Sequence, residues 1–163
     1  MEKKIRHAVR CFLIEDNKVV VTKYKEKNRK AGYYEIPGGK IEENETSIDT
    51  CIREMREETG INIFKDKIIK KGIMEVEYPD RIYILDIFLT KDYEGIPRDF
   101  EENSSKWIDI NELLSKEKLL SNIIILDRFF IKGLIDEKLN FNMYIKVDED
   151  EKILEIKYNL LDV

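Results

Sequence analysis

The sequence is poor in cysteine, histidine, proline and glycine: 2 Cys, 1 His, 3 Pro and 7 Gly in 163 residues. Cys11 and Cys51 each lie within an apolar pattern and read as two buried thiols rather than a disulfide, which points to a reducing cytoplasm. The few prolines and glycines form no Ser/Gly-rich linker, no repeat divides the chain, and residues 1–163 are expected to form a single domain. No apolar stretch approaches the ~18 residues of a membrane span, the longest being residues 123–126. The N-terminal residues Met1-Glu2-Lys3-Lys4-Ile5-Arg6 lack the apolar core of a signal peptide. There is no basic tract, and 29 Lys+Arg against 34 Asp+Glu leave a net charge of −5, so duplex nucleic acid is a poor partner. What the chain does have is 39% charged residues, against a typical ~25%, interleaved with recurrent Ile/Val/Leu/Phe runs that exclude intrinsic disorder. A chain of this length buries roughly two-thirds of its unfolded surface and needs no covalent staple.

The periodicity predicts strands at residues 5–14 and 18–25 around the turn Glu15-Asp16-Asn17. After a charged loop at 26–30, a short strand over 33–36 is expected to end at Pro37-Gly38-Gly39, where proline cannot donate and glycine permits positive φ. Residues 46–59 are the clearest helix. Thr46 and Asp49 have capping-box spacing, Gly60 sits at the C-terminal cap, and Ile48, Cys51, Ile52, Met55 and Thr59 make the buried stripe. Segments 68–78 and 81–90 read as a hairpin through Pro79-Asp80. Trp107-Ile108 reads as a short strand, Asp109 and Glu112 as the cap of a short helix, and 123–135 as a longer apolar helix. Segments 144–147 and 153–158 close the chain as a hairpin around an acidic turn. Strands in both halves with helices between them predict an α/β fold with a mixed β-sheet covered by helices.

The chemistry concentrates at residues 40–60, which carry seven acids against three bases. Glu54, Glu57 and Glu58 stand at i, i+3 and i+4 of the expected helix, so their carboxylates fall on one side within one turn. Arg53 and Arg56 cannot fully neutralise them. A hard divalent cation would relieve the repulsion, and Mg²⁺ characteristically binds through a few carboxylates together with substrate phosphates.

This stretch resembles the Nudix box, the signature of the Nudix hydrolases. Gly39, Glu45, Arg53, Glu54, Met55, Glu57, Glu58, Gly60 and Ile61 fill every specified place of the pattern over residues 39–61. Its seven fixed positions would coincide by chance about once in 10⁸ windows. The resemblance implies a Nudix α/β/α sandwich with a mixed β-sheet and a loop–helix–loop catalytic box that hydrolyses a nucleoside diphosphate linked to another group. It implies one to three Mg²⁺ or Mn²⁺ ions on Glu54, Glu57 and Glu58, with the carbonyl of Gly39 as a further ligand. Arg53 would orient a glutamate, Glu45 would support the same network, and Glu54 or Glu58 would take the proton of the attacking water. Lys40, within the box, is a candidate substrate contact.

Outside the box, Tyr93 to Pro97, Glu101-Glu102 and Trp107 resemble a block of the subgroup that hydrolyses oxidised purine nucleoside triphosphates. In that likeness Glu102 reaches the metal site and Asp127 reads the purine edge. Lys25, Tyr34 and Glu35 are further candidate substrate contacts. The subgroup's aromatic platform before the aspartate segment is missing, residues 119–126 being Leu-Leu-Ser-Asn-Ile-Ile-Ile-Leu. The expected activity is a metal-dependent cleavage of a purine nucleoside triphosphate, oxidised or not, to the monophosphate and pyrophosphate, by a monomer or homodimer. The alternatives are hydrolysis of ADP-ribose, a nucleotide sugar or a dinucleoside polyphosphate, and a non-catalytic nucleotide-binding module.

Overall fold

Apolar alternation along the first strands sets the centre of the sheet in the computed structural model, which describes residues 2–25, 31–129 and 139–162. Strand β1 (Lys4–Glu15) turns into β2 (Lys18–Tyr24) through Asp16 and Asn17, both at positive φ (49° and 62°), as a tight two-residue hairpin turn requires. Next come β3 (Tyr34–Glu35), β4 (Gly38–Lys40), helix α1 (Ser47–Thr59) and β5 (Asn62–Ile63). Strands β6 (Ile69–Glu77) and β7 (Arg81–Thr90) form the expected hairpin, followed by β8 (Tyr93–Glu94) and β9 (Asn103–Asp109). Helix α2 (Ile110–Leu114) starts on Asp109, whose carboxylate accepts from the N–H groups of Asn111 and Glu112. Helix α3 (Ile124–Phe129) follows a 3₁₀ turn, and β10 (Leu139–Val147) and β11 (Ile153–Asp162) close the chain. The remainder of the helix expected over 123–135 lies outside the described residues.

Among the described residues nine strands join in one mixed sheet, in the order β11-β10-β6-β7-β1-β2-β3, with β4 added on β1 and β9 on β2. The β1–β7 and β6–β10 pairs are parallel and the other pairs antiparallel. One face packs on α1 through Val9, Cys11, Leu13 and Val20 against Cys51 and Met55. The other packs on α2 and α3 through Phe12, Ile14, Val19 and Ile87 against Leu113, Ile125 and Leu126. The result is an α/β/α sandwich. Cys11 and Cys51 are free, buried thiols beneath α1, as expected. Among the described residues no helix is long and apolar enough to cross a membrane.

One sequence expectation is corrected at the site itself. Pro37-Gly38-Gly39 does not end β3 in a positive-φ turn: Gly38–Lys40 is a strand, with Ala8 opposite Lys40, Val9 opposite Gly39 and Arg10 opposite Gly38. Among the described residues the positive-φ glycines are Gly32, Gly60 and Gly95. Glycine is needed at 38 for room, because a Cβ there would stand 1.9 Å from the carbonyl oxygen of Val9.

Candidate active site

Helix α1 is fixed at both ends by its own sequence. Thr46 and Asp49 form a reciprocal capping box, and Gly60 closes the helix at φ 79° with its N–H on the carbonyl of Arg56. The buried stripe of Cys51, Met55 and Thr59 presses the helix onto the sheet, which leaves Arg53, Glu54, Glu57 and Glu58 beside β4.

Arg53 organises the outer side. Its Nε donates to Glu45 Oε2 at 2.6 Å, and its Nη2 to Glu45 Oε1 at 3.0 Å and to the carbonyl of Lys40 at 3.2 Å. Its Nη1 donates to Glu54 Oε1 at 2.9 Å and Glu57 Oε2 at 3.2 Å. The Glu45 contact is the two-pronged pairing that suits a planar guanidinium. Glu45 also accepts from the Thr50 hydroxyl at 2.6 Å and the Glu42 N–H at 3.2 Å. Hydrogen bonds from Arg53, then from Thr50, hold the Glu45 carboxyl down at about 2. Arg53 thereby ties Glu45 to Glu54 and Glu57.

Glu54 and Glu58 are drawn to the two glycines. A Cβ on Gly39 would lie 2.4 Å from Glu54 Oε1, so this carboxylate packs directly on the glycine backbone. The Gly38 N–H donates to Glu58 Oε1 at 3.2 Å. Burial, then the charge of Glu35, then a hydrogen bond with Glu54 push the Glu58 carboxyl well above the ordinary carboxylate range. Glu57 is the exposed member, with 57% of its side chain accessible. Among the described residues no three acidic, His or Cys side chains already form a closed ligand cage. Mg²⁺ does not require one, since it keeps several waters and shares its shell with phosphate oxygens.

The remaining candidates divide. Lys40, within the box, is exposed at the end of β4. Glu102 is exposed in the loop before β9, and the adjacent Asn103 donates to the backbone carbonyl of Glu58 at 2.9 Å, so this loop abuts the end of α1. Lys25 joins the same loop, its N–H on the Glu102 carbonyl and its Nζ on the Phe100 carbonyl. Tyr34 is buried, its ring beneath the ammonium groups of Lys23 and Lys106, whereas Tyr33 lines a cavity of about 550 Å³ with Tyr78, Arg81 and Glu151. Glu35 is buried with both carboxylate oxygens engaged, one by Arg10 at 2.6 Å and one by the Tyr24 hydroxyl at 2.6 Å. The backbone of Asp127 belongs to α3, but its side chain lies outside the described residues. Trp107 packs on Tyr93 at 5.3 Å in the α1-side core.

Three polar residues at the site escaped the sequence reading. Asn103 carried no local signal. Asn122 is buried, with its Oδ1 accepting from the Ile36 N–H at 3.3 Å. Arg10 is a charge between the apolar Val9 and Cys11 of β1, a break in pattern that could have marked it.

The comparisons with known proteins agree with this geometry. The NUDIX domain family matches residues 4–129. The chain is 33% identical over 108 residues to an 8-oxo-dGTP diphosphatase of Escherichia coli, covering 66% of this chain and 82% of that protein. It is 32% identical over 135 residues to the uncharacterized Nudix hydrolase YvcI of Bacillus subtilis, covering 79% and 81%. The crystal structure of a MutT protein from Bacillus halodurans superposes with a TM-score of 0.75 at 20% identity, covering 95% of this chain and 97% of that one, and so shares the fold. With the box assembled beside β4 and the family matched over most of the chain, this protein belongs to the Nudix hydrolases.

Proposed function

We propose that the protein is a metal-dependent pyrophosphohydrolase that cleaves a purine nucleoside triphosphate, oxidised or not, to the monophosphate and pyrophosphate. The observation that carries this reading is the seating of Glu54 on Gly39 and of Glu58 on the Gly38 N–H, which gathers acidic oxygens against one stretch of backbone. The donor set is all oxygen, and Glu58 is pushed well above the ordinary carboxylate range by burial and then by the charge of Glu35, a crowding that a divalent cation would relieve. Glu54, Glu57, Glu58 and the carbonyl of Gly39 would hold Mg²⁺ or Mn²⁺, with Glu102 joining from the loop before β9. When bound, the ion supplies charge neutralisation at the phosphoryl oxygens and acidifies the attacking water.

The protein's own groups do the rest. Arg53 keeps Glu54 and Glu57 from splaying into solvent, and Glu45 fixes Arg53 in turn. Glu54 or Glu58, whose carboxyls are hydrogen-bonded to each other, takes the proton of the attacking water. Lys40, exposed within the box, screens the incoming polyphosphate.

The purine preference is supported by the name of the Escherichia coli relative. The free thiols Cys11 and Cys51 support a cytoplasmic setting.

Chromatography of products from a nucleotide panel tests the reading. Purine triphosphates should yield monophosphate and pyrophosphate only with Mg²⁺ or Mn²⁺ present. Release of AMP and ribose phosphate from ADP-ribose, with triphosphates untouched, would reassign the substrate, and tight nucleotide binding without turnover would indicate a silent domain.

A further inference from the structure

A second arginine, outside the box, pairs with Glu35 and lies within electrostatic reach of Glu58. Arg10 extends from β1, with its Nη2 2.6 Å from Glu35 Oε1 and its Nη1 donating to the Ile36 carbonyl at 3.4 Å. The Tyr24 hydroxyl holds the other oxygen of Glu35 at 2.6 Å. Only 14% of the Arg10 side chain and 5% of the Glu35 side chain are accessible.

Fold stability does not explain this arrangement. A buried ion pair is matched or bettered by a well-packed apolar pair of similar volume. Arg10 Nε is, moreover, the one buried side-chain polar atom among the described residues that lacks a hydrogen-bond partner. Such an orphan donor costs stability.

Its location does explain it. Residues 35–38 form a short strap between β3 and β4. Arg10 holds the strap at Glu35 and Ile36, the Cys11 N–H holds it at the Pro37 carbonyl at 2.9 Å, and the Gly38 N–H at its far end holds Glu58. Arg10 and Gly38 are also direct ladder partners of β1 and β4. Glu35, Glu58, Tyr24 and Tyr78 all act on the Arg10 charge, so the guanidinium lies within the field of the acidic cluster.

We propose that Arg10 is a positioning residue for the metal-binding carboxylates: by clamping Glu35 and Ile36 it fixes the Gly38 N–H that seats Glu58. It also places a permanent positive charge on the inner side of the cluster, where Arg53 does not reach. This inference rests on Glu58 being a metal ligand, as proposed above.

The test compares the full-length wild type with Arg10→Lys and with the double variant Arg10→Met/Glu35→Met. Mn²⁺ affinity is read by electron paramagnetic resonance without nucleotide, and kcat, KM and Tm are measured alongside. Lysine keeps a charge beside Glu35 but cannot bond Glu35 and Ile36 together as a fork. The double variant removes both buried charges, so no lone charge is left behind. In both, Mn²⁺ affinity and kcat should fall about 10–100-fold, the usual effect of losing a group that orients metal ligands, while KM and Tm stay close to wild type.

Wild-type Mn²⁺ affinity and kcat in either folded variant would overturn the proposal. If one variant fails to fold, the other decides. A wild type that binds Mn²⁺ but hydrolyses no nucleotide would sink the enzymatic reading and leave the Mn²⁺ comparison to judge Arg10. A wild type without Mn²⁺ affinity would overturn both.

Discussion

Two arginines serve one site, Arg53 bonded directly to its glutamates and Arg10 to the strap that seats Glu58, and they differ in almost every other respect. Arg53 lies on α1, and its partners Glu45, Glu54, Glu57 and the Lys40 carbonyl all come from residues 40–57. Arg10 lies on a central strand, and its partners Glu35 and Ile36 are contributed by a different part of the chain and buried in the sheet. The outer web is local in sequence and faces solvent at Glu57. The inner one is assembled only when β1, β2 and β3 meet. The outer web should therefore govern activity with little effect on stability, whereas removing one charge of the buried inner pair should affect both.

The largest expected effect lies on the outer side. Glu57→Gln should lower kcat by at least the ~10²–10³-fold that loss of one transition-state-stabilising contact costs. Because Glu57 is exposed, the stability change should stay within about 0.5 kcal/mol, as read by urea denaturation. Full Mg²⁺-dependent turnover would remove Glu57 from the ligand set, and a large loss of stability would erase the contrast between the two sides.

Methionine at each arginine sharpens the contrast. Arg53→Met should reduce kcat about 10–100-fold, with a smaller stability loss than its inner counterpart. Arg10→Met strips the buried Glu35 of its cation and should cost about 3–5 kcal/mol of unfolding free energy. Equal denaturation midpoints for the two would refute the division.

The adjacent glycines provide a third comparison. Alanine at 38 drives its Cβ into the backbone of β1, which cannot yield, so Gly38→Ala should cost about 1–3 kcal/mol, measured by thermal melting. Alanine at 39 meets only the end of the Glu54 side chain. Gly39→Ala should fold normally and lose activity as Glu54 is displaced.

The smallest effect is in pH dependence. The Glu45 carboxyl is lowered from 4.5 to about 2 by Arg53 and Thr50, so its folded form resists protonation more than its unfolded form does. Its contribution to stability is complete above about pH 4.5 and is lost as pH falls towards 2. Glu45→Gln should therefore flatten the acid limb of the stability profile in that window. An unchanged limb would show that Arg53 gives Glu45 no preference for its charged form.

The same division decides what could be read from the sequence. α1 was legible because a helix writes its caps and stripe into neighbouring residues: Thr46, Asp49, Gly60 and the 3.6-residue spacing of Cys51, Met55 and Thr59 all behave as read. The Arg53 web was legible only through the resemblance to the Nudix box, which implied that Arg53 orients a glutamate and that Glu45 supports it. β4 was misread because glycine signals both conformational freedom and the absence of a side chain, and at Gly38 and Gly39 the second meaning applies. Most of β9 was missed because Asn103, Ser104 and Ser105 have little intrinsic strand preference and become a strand by pairing with β2. The pairing of Glu35 was not legible because its partners Arg10 and Tyr24 lie 25 and 11 residues away, beyond any local spacing rule.

Anomalous diffraction from crystals soaked in Mn²⁺ tests the central claim most directly. The account predicts a manganese peak bonded to carboxylate oxygens from Glu54, Glu57 and Glu58 and to the carbonyl of Gly39. A cluster with no peak, its glutamates still tied to Arg53 and Gly38 at saturating Mn²⁺, would contradict it.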